Sequence, residues 1–328
     1  MSARTFILAL TACAFSASCV DAPNDDGLLE AIRSGDTQGA ITLLGSGANP
    51  DSRFPEGVSA LYVAVQERRP RLVEALLEAG ADVDASPTTL PGATSLGVAA
   101  QLGDIEIVEL LLEADARLEA AGDPGATPLI MAAQYDQVDV ANLLLEAGAD
   151  IDAQRTDGQT ALAMAVHHGY RNTAEVLLSA GADLELANNG GVTPILHAVA
   201  NNDIELSRRL IDAGANLEVQ GPDLIRPIHV ASQQGHADIA KLLIEACADP
   251  NARAKDGVTA LHLAVGANDI ETVRVLLKSA DSNLVAPGGT PLELAEKLGH
   301  REIASEIYLS RLAMISMDAW LKQWECKR

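Results

Sequence analysis

One apolar phrase opening on Ser or Thr returns along this chain at nearly constant spacing. It reads GVSALYVAV at 57, GATSLGVAA at 92, GATPLIMAA at 125, GQTALAMAV at 158, GVTPILHAV at 191, GVTALHLAV at 257 and GTPLELAEK at 289, with a degenerate IRPIHVAS at 225. The markers Ser59, Thr94, Thr127, Thr160, Thr193, Arg226, Thr259 and Thr290 are separated by 33 residues in five intervals, by 35 in one and by 31 in one. Gly80, Gly148, Gly181 and Gly214 each follow their marker by 21 residues, and Gly47 projects back to Asp26, which reveals a first copy. A fixed period of this length is the signature of stacked supersecondary units, here nine of them.

One unit shows what the period means physically. In TPLIMAAQYDQVDVANLLLEAGADID, Thr127 stands at an N-cap and Pro128 in the first turn, where its missing N–H costs nothing. A short helix follows, Asp136 and Gln137 form a turn, and Val138 to Leu145 repeat at helical spacing. Gly148 then ends the second helix in the left-handed conformation. Helices this short are marginal alone, so stacking must stabilise them. Five residues beyond the marker every copy carries Ala: Ala31, Ala64, Ala99, Ala132, Ala165, Ala198, Ala231, Ala264 and Ala295. So small a residue, fixed nine times, predicts a seam where helices pack with little side-chain room. The expectation is an all-α solenoid.

Period and phrase resemble the ankyrin repeat, whose pattern includes T-P-L-H-x-A. The resemblance covers roughly residues 25 to 310 and implies a helix pair plus β-hairpin-like loop per unit, stacked in a curved array with a concave face of first helices and hairpin tips. The pattern's histidine survives only at His229 and His262; Tyr62, Gly97, Ile130, Ala163, Leu196 and Glu293 replace it elsewhere. At the helix-ending glycine, three copies carry Asp115, Cys247 and Ala280. Each costs about 1 kcal/mol if the left-handed geometry is kept, which makes repeats three, seven and eight the weaker links. Two extra residues near SPTTLPG, 86–92, predict a longer finger between repeats two and three.

The termini read differently. Residues 1–18 have an early Arg4, an apolar run from Phe6 to Phe15 and small residues before Cys19, the anatomy of a secretory signal. Residues 19–24 are then a linker, the solenoid spans 25–313, and 314–328 form a capping helix or tail in which Met317, Trp320, Leu321 and Trp324 share one helical face. The tail either covers the open end of the stack or binds a partner. Cys19 is a candidate lipidation site with an imperfect lipobox, Ser16 standing where Leu is usual. Lipidation and simple cleavage stay open, and both place the chain outside the cytoplasm, in the periplasm or anchored at the cell envelope. Four cysteines at 13, 19, 247 and 326 suggest no framework by spacing, so Cys247 and Cys326 read as free thiols.

The net charge of −23 excludes a phosphate-binding stripe and hence nucleic acid, and favours a basic partner. The paired His167 and His168 occupy slots that other units fill variably, and adjacent helical residues diverge by about 100°, so they read as surface contacts and not as a metal site. In the family those slots bind partners. Carried over, they give Gln66, Gln101, Leu102, Gln134, Tyr135, His167, His168, Asn201, Gln233 and Gln234, with Tyr135 the aromatic anchor. No nucleophile elbow, phosphate loop or zinc helix is present: no catalytic residue, metal or cofactor is expected. The resulting expectation is a monomeric, non-enzymatic scaffold that binds or stabilises another protein at the cell envelope. The alternative is a secreted effector acting on a partner in another cell.

Overall fold

The computed structural model describes residues 24–55, 57–88, 93–122 and 125–313. The signal segment, Cys19 and the tail 314–328 therefore lie outside the described residues, as does most of the 86–92 finger. Among the described residues the chain is helix throughout, with isolated β-bridges such as Arg53 with Ser59 and Arg253 with Thr259, and no strand. Repeat one contributes α1 (Asp25–Ser34) and α2 (Thr37–Gly45), repeat two α3 (Ala60–Gln66) and α4 (Pro70–Glu78), and repeat three α5 (Ser95–Leu102) and α6 (Ile105–Glu113). Repeat four follows with α7 (Pro128–Gln134) and α8 (Val138–Glu146), repeat five with α9 (Ala161–His168) and α10 (Arg171–Ser179), and repeat six with α11 (Pro194–Ala200) and α12 (Ile204–Asp212). The last three are α13 (Pro227–Gln234) and α14 (Ala237–Glu245), α15 (Ala260–Gly266) and α16 (Ile270–Leu276), and α17 (Pro291–Leu298) and α18 (Arg301–Ala313).

The caps explain where first helices begin. Ser59, Thr94, Thr127, Thr160 and Thr290 each accept a hydrogen bond from the backbone N–H three residues on, satisfying a donor the helix leaves orphaned. The first unit departs from this register. Its cap is Asn24, so the projected marker Asp26 falls inside α1. First helices stack on first helices and second on second. Eight of the nine marker alanines, Ala64 through Ala295, have no solvent exposure. Ala31, in the first described unit, is half-buried.

The helix-ending position divides as its chemistry dictates. Gly80, Gly148, Gly181 and Gly214 hold φ between 86° and 95°, and Asp115 and Cys247 keep the left-handed region at 59° and 67°. Ala280 does not. Repeat eight ends α16 at Leu276 and turns early, with Ala280 N–H donating to Leu276 O at 2.7 Å, so the expected left-handed cost is avoided there. Cys247 is disulfide-bonded, which corrects its reading as a free thiol. Its chain-mates Cys13, Cys19 and Cys326 all fall outside the described residues.

The acidic links form a ladder along the stack. Asp150 accepts from Asp152 N–H, Asp152 accepts from Asp183 N–H at 2.8 Å, Asp183 accepts from Glu185 N–H, and Glu185 accepts from Asn216 N–H at 2.8 Å. Each carboxylate thus closes its own turn or reaches the next repeat. In repeat eight Asn251 does the same for Asp281 N–H, so the acceptor oxygen matters and not the charge. Asp152→Ala should therefore cost about 1 kcal/mol in urea unfolding, while Asp152→Asn should be nearly neutral.

Candidate partner-binding surface

Every residue of the expected ladder sits at the C-terminal end of a first helix. Gln66, Gln101, Leu102, Gln134, His167, His168, Gln233 and Gln234 are final residues of α3, α5, α7, α9 and α13, and Tyr135 and Asn201 are the caps that follow α7 and α11. Gln66, both histidines, Asn201, Gln233 and Gln234 are exposed, Gln101, Leu102 and Gln134 half-buried, and Tyr135 is 43% exposed. Not all are free to meet a partner. Asn201 Nδ2 donates to His167 O at 2.7 Å, and Gln137 Nε2 donates likewise to Gln101 O at 3.1 Å. These side chains satisfy the open carbonyls of the neighbouring helix end, which gives Asn201 a structural task.

Beside the ladder, in repeats two to seven, runs a column four residues beyond the marker: Val63, Val98, Met131, Met164, His197 and Val230. These residues are half-buried, Met164 more deeply, so an apolar stripe flanks the amides and imidazoles. Sequence reasoning passed over this column. The register could have found it, because His197 is the one polar residue in an otherwise apolar series.

The structure brings Gln101, Gln134 and Tyr135 together around a cavity of about 470 Å³. Tyr62, Thr94, Gly97, Val98, Met131 and Arg155 also line it. The cause is local. Gly97 occupies the slot that holds the family histidine in repeats seven and eight. There His229 accepts from Arg226 N–H through Nδ1 and donates through Nε2 to Ala252 O at 2.9 Å, and His262 bridges Thr259 to Gly289 O in the same manner. Burial lowers the pKa of both imidazoles and keeps them neutral for this bridging. With no side chain at Gly97 that bridge is missing, and the emptied slot opens to the surface. Tyr62 is 9% exposed, and burial raises its phenol pKa. Arg155 is paired with Asp157, Nε to Oδ1 at 3.1 Å, and this hydrogen bond holds the Asp157 carboxyl below its usual range. The cavity is therefore lined by amides, phenols and apolar side chains, and the charge of Arg155 is balanced by Asp157.

The remaining ladder residues lie elsewhere. His167 and His168 meet edge to face at 5.0 Å, and His168 stacks on Tyr170 at 5.4 Å. The partner of His167 is His197 of the next repeat, with the two Nδ1 atoms 3.2 Å apart. Among the described residues no group of three His, Cys, Asp or Glu is placed to hold a metal ion, and no helix is long and apolar enough to cross a membrane.

Stacked helix pairs joined by extended loops, with variable polar residues along one face, define a helical repeat protein of the interaction type. A family model for ankyrin repeats matches residues 28–121, 84–155, 129–221 and 228–312, and the chain belongs to that family. Among solved structures it resembles the ankyrin repeat domain of Bcl-3, a member of the IkappaB protein family, at 26% identity and TM-score 0.62, over 67% of this chain and 99% of that one. Curated protein sequences give no match. Ankyrin repeats generally mediate protein–protein interaction.

Proposed function

We propose that this chain is a non-enzymatic scaffold of the cell envelope that binds and stabilises an exported partner protein through its first-helix face. The cavity at Gly97 carries the reading. It joins Gln101, Gln134 and Tyr135 of the ladder with Tyr62 and the apolar Val98 and Met131, and its volume of about 470 Å³ lies in the range of pockets that bury a ligand. A large apolar or aromatic side chain of the partner fits there as anchor, with Gln101, Gln134 and the Tyr135 hydroxyl supplying hydrogen bonds. Such desolvated pockets are where interface energy concentrates. The net charge of −23 supports a basic partner by steering encounter. The apolar leader supports export, and Cys19 is the residue that lipid would modify.

Gly97 separates binding from folding. It lies inside α5 with ordinary helical φ, and a Cβ there would meet Thr94 Oγ1 at 3.4 Å. Gly97→Ala should stabilise the protein by about 0.5–1 kcal/mol, because glycine weakens a helix interior. Gly97→Leu should fill the cavity and weaken partner binding by roughly tenfold or more, the effect of losing one anchored side chain. A photo-crosslinking amino acid at position 135 in living cells should capture one dominant protein, and Gly97→Leu should remove that product. Capture that is unchanged in the plugged variant, or equal from Glu146 at the end of α8, would refute the assignment.

A further inference from the structure

We infer that Cys247 pairs with Cys326, and that the segment 314–326 lies back across the ends of α18 and α16 to reach it. Cys247 is disulfide-bonded, and three other cysteines occur in the sequence, at 13, 19 and 326. Chain reach decides among them. Packed helices are spaced about 8–10 Å apart, so repeat one lies about 50–60 Å from repeat seven. Cys19 is five residues from the start of the solenoid at Asn24 and Cys13 is eleven, which gives them at most about 18 and 40 Å of extended chain. Neither spans the gap. From Ala313, by contrast, only two repeat spacings, roughly 20 Å, separate the end of α18 from the end of α14. The 13 residues 314–326 cover about 20 Å as helix and about 45 Å extended.

The described surface along that route carries exposed apolar groups. Tyr308, Leu309 and Leu312 of α18 are 57%, 59% and 51% exposed, large apolar groups clustered on one terminal helix. Beside them a groove of about 560 Å³ runs between α16 and α18, where Val275, Leu277 and Leu309 supply apolar surface and Glu271, Arg274, Lys278, Glu306 and Ser310 a polar border. The segment that must cross it carries Met317, Trp320, Leu321 and Trp324 at helical spacing. The apolar face and the apolar segment are therefore joined by a short chain at one end and a disulfide at the other. The occupant of this groove is the protein's own tail, and the disulfide requires an oxidising compartment, independently of what the leader sequence implies.

Both tryptophans of the chain are Trp320 and Trp324, so intrinsic indole emission reports on this segment alone. Proteolysis of the mature, unreduced protein followed by mass spectrometry should recover the Cys247 peptide joined to the Cys326 peptide. Pairing of Cys247 with Cys13, Cys19 or a second chain, or its alkylation without reductant, would overturn the assignment. Indole emission should be blue-shifted and protected from acrylamide, and should move to the red in Cys247→Gly. That variant keeps the fold, because glycine suits the left-handed φ of 67° at position 247. Leu309→Glu should give the same red shift with the disulfide intact. Emission of exposed indole in the native protein would show the groove to be open to another partner.

Discussion

Ala165→Leu should destabilise the solenoid by about 2–3 kcal/mol, the upper part of the range for overpacking a filled core. Ala165 has no exposure, and its helix α9 is held between α7 and α11. Three added carbon atoms have no free volume to enter, so the helices must separate or side chains must adopt strained rotamers. Because each repeat is stabilised through its neighbours, the loss spreads to the interfaces on both sides of repeat five. Ala31→Leu supplies the control. The same substitution at the same register position meets solvent on one side and should change stability by less than about 0.5 kcal/mol. Urea unfolding followed by circular dichroism distinguishes the two. Equal losses at positions 31 and 165 would mean that the alanine column is not the seam.

That seam was legible before any coordinates, because periodicity reports directly on burial. Small residues repeated in register point to a close approach of helices, as the eight fully buried alanines show, and the N-cap residues and terminal glycines mark where most of the helices start and stop. What escaped the sequence is whatever depends on two repeats at once. His197 was invisible as a partner of His167 because 30 residues separate them, and only stacking brings the rings together. The cavity likewise needs a side chain to be missing at Gly97 while Tyr62 and Tyr135 stand on either side of it. Asp and Glu in the links are expected to close their own turns, and they do, but their reach to the backbone N–H of the following repeat is seen only once the repeats are stacked. Ala280 shows the opposite failure: the strain expected from sequence is avoided by ending a helix early, a response that a fixed repeat template does not contain.

Lowering the pH from 7 to 4 should remove roughly 2 kcal/mol of stability through His197, and His197→Met should abolish that part of the loss. Burial first, and then the neighbouring His167, depress the pKa of His197 from 6.5 to about 4. In the unfolded chain the same imidazole titrates near 6.5, so between these values the unfolded state binds more protons and stability rises with pH. The contribution is therefore fully present above pH 6.5 and lost as pH falls through 4. A shift of this size is worth about 3 kcal/mol at full burial, and the ring's partial exposure reduces it to roughly 2 by solvent screening. Geometry fixes the neutral form. Nε2 of His197 is buried with no hydrogen-bond partner, and an unmet acceptor there is less costly than an unmet N–H, so the proton resides on Nδ1 and is donated to His167 Nδ1. Methionine suits the site because Met131 and Met164 occupy the equivalent position in the two preceding repeats. At pH 7 the variant should be as stable as the native protein or more so by about 1 kcal/mol, since an unsatisfied buried group has been removed. A residual acid dependence should persist, because burial lowers the pKa of His168, His229 and His262 in the same direction. Urea unfolding of both proteins at pH 4, 5, 6 and 7 isolates the His197 share as the difference between the two curves. Parallel curves would mean that His197 takes up its proton in the folded state as readily as in the unfolded chain.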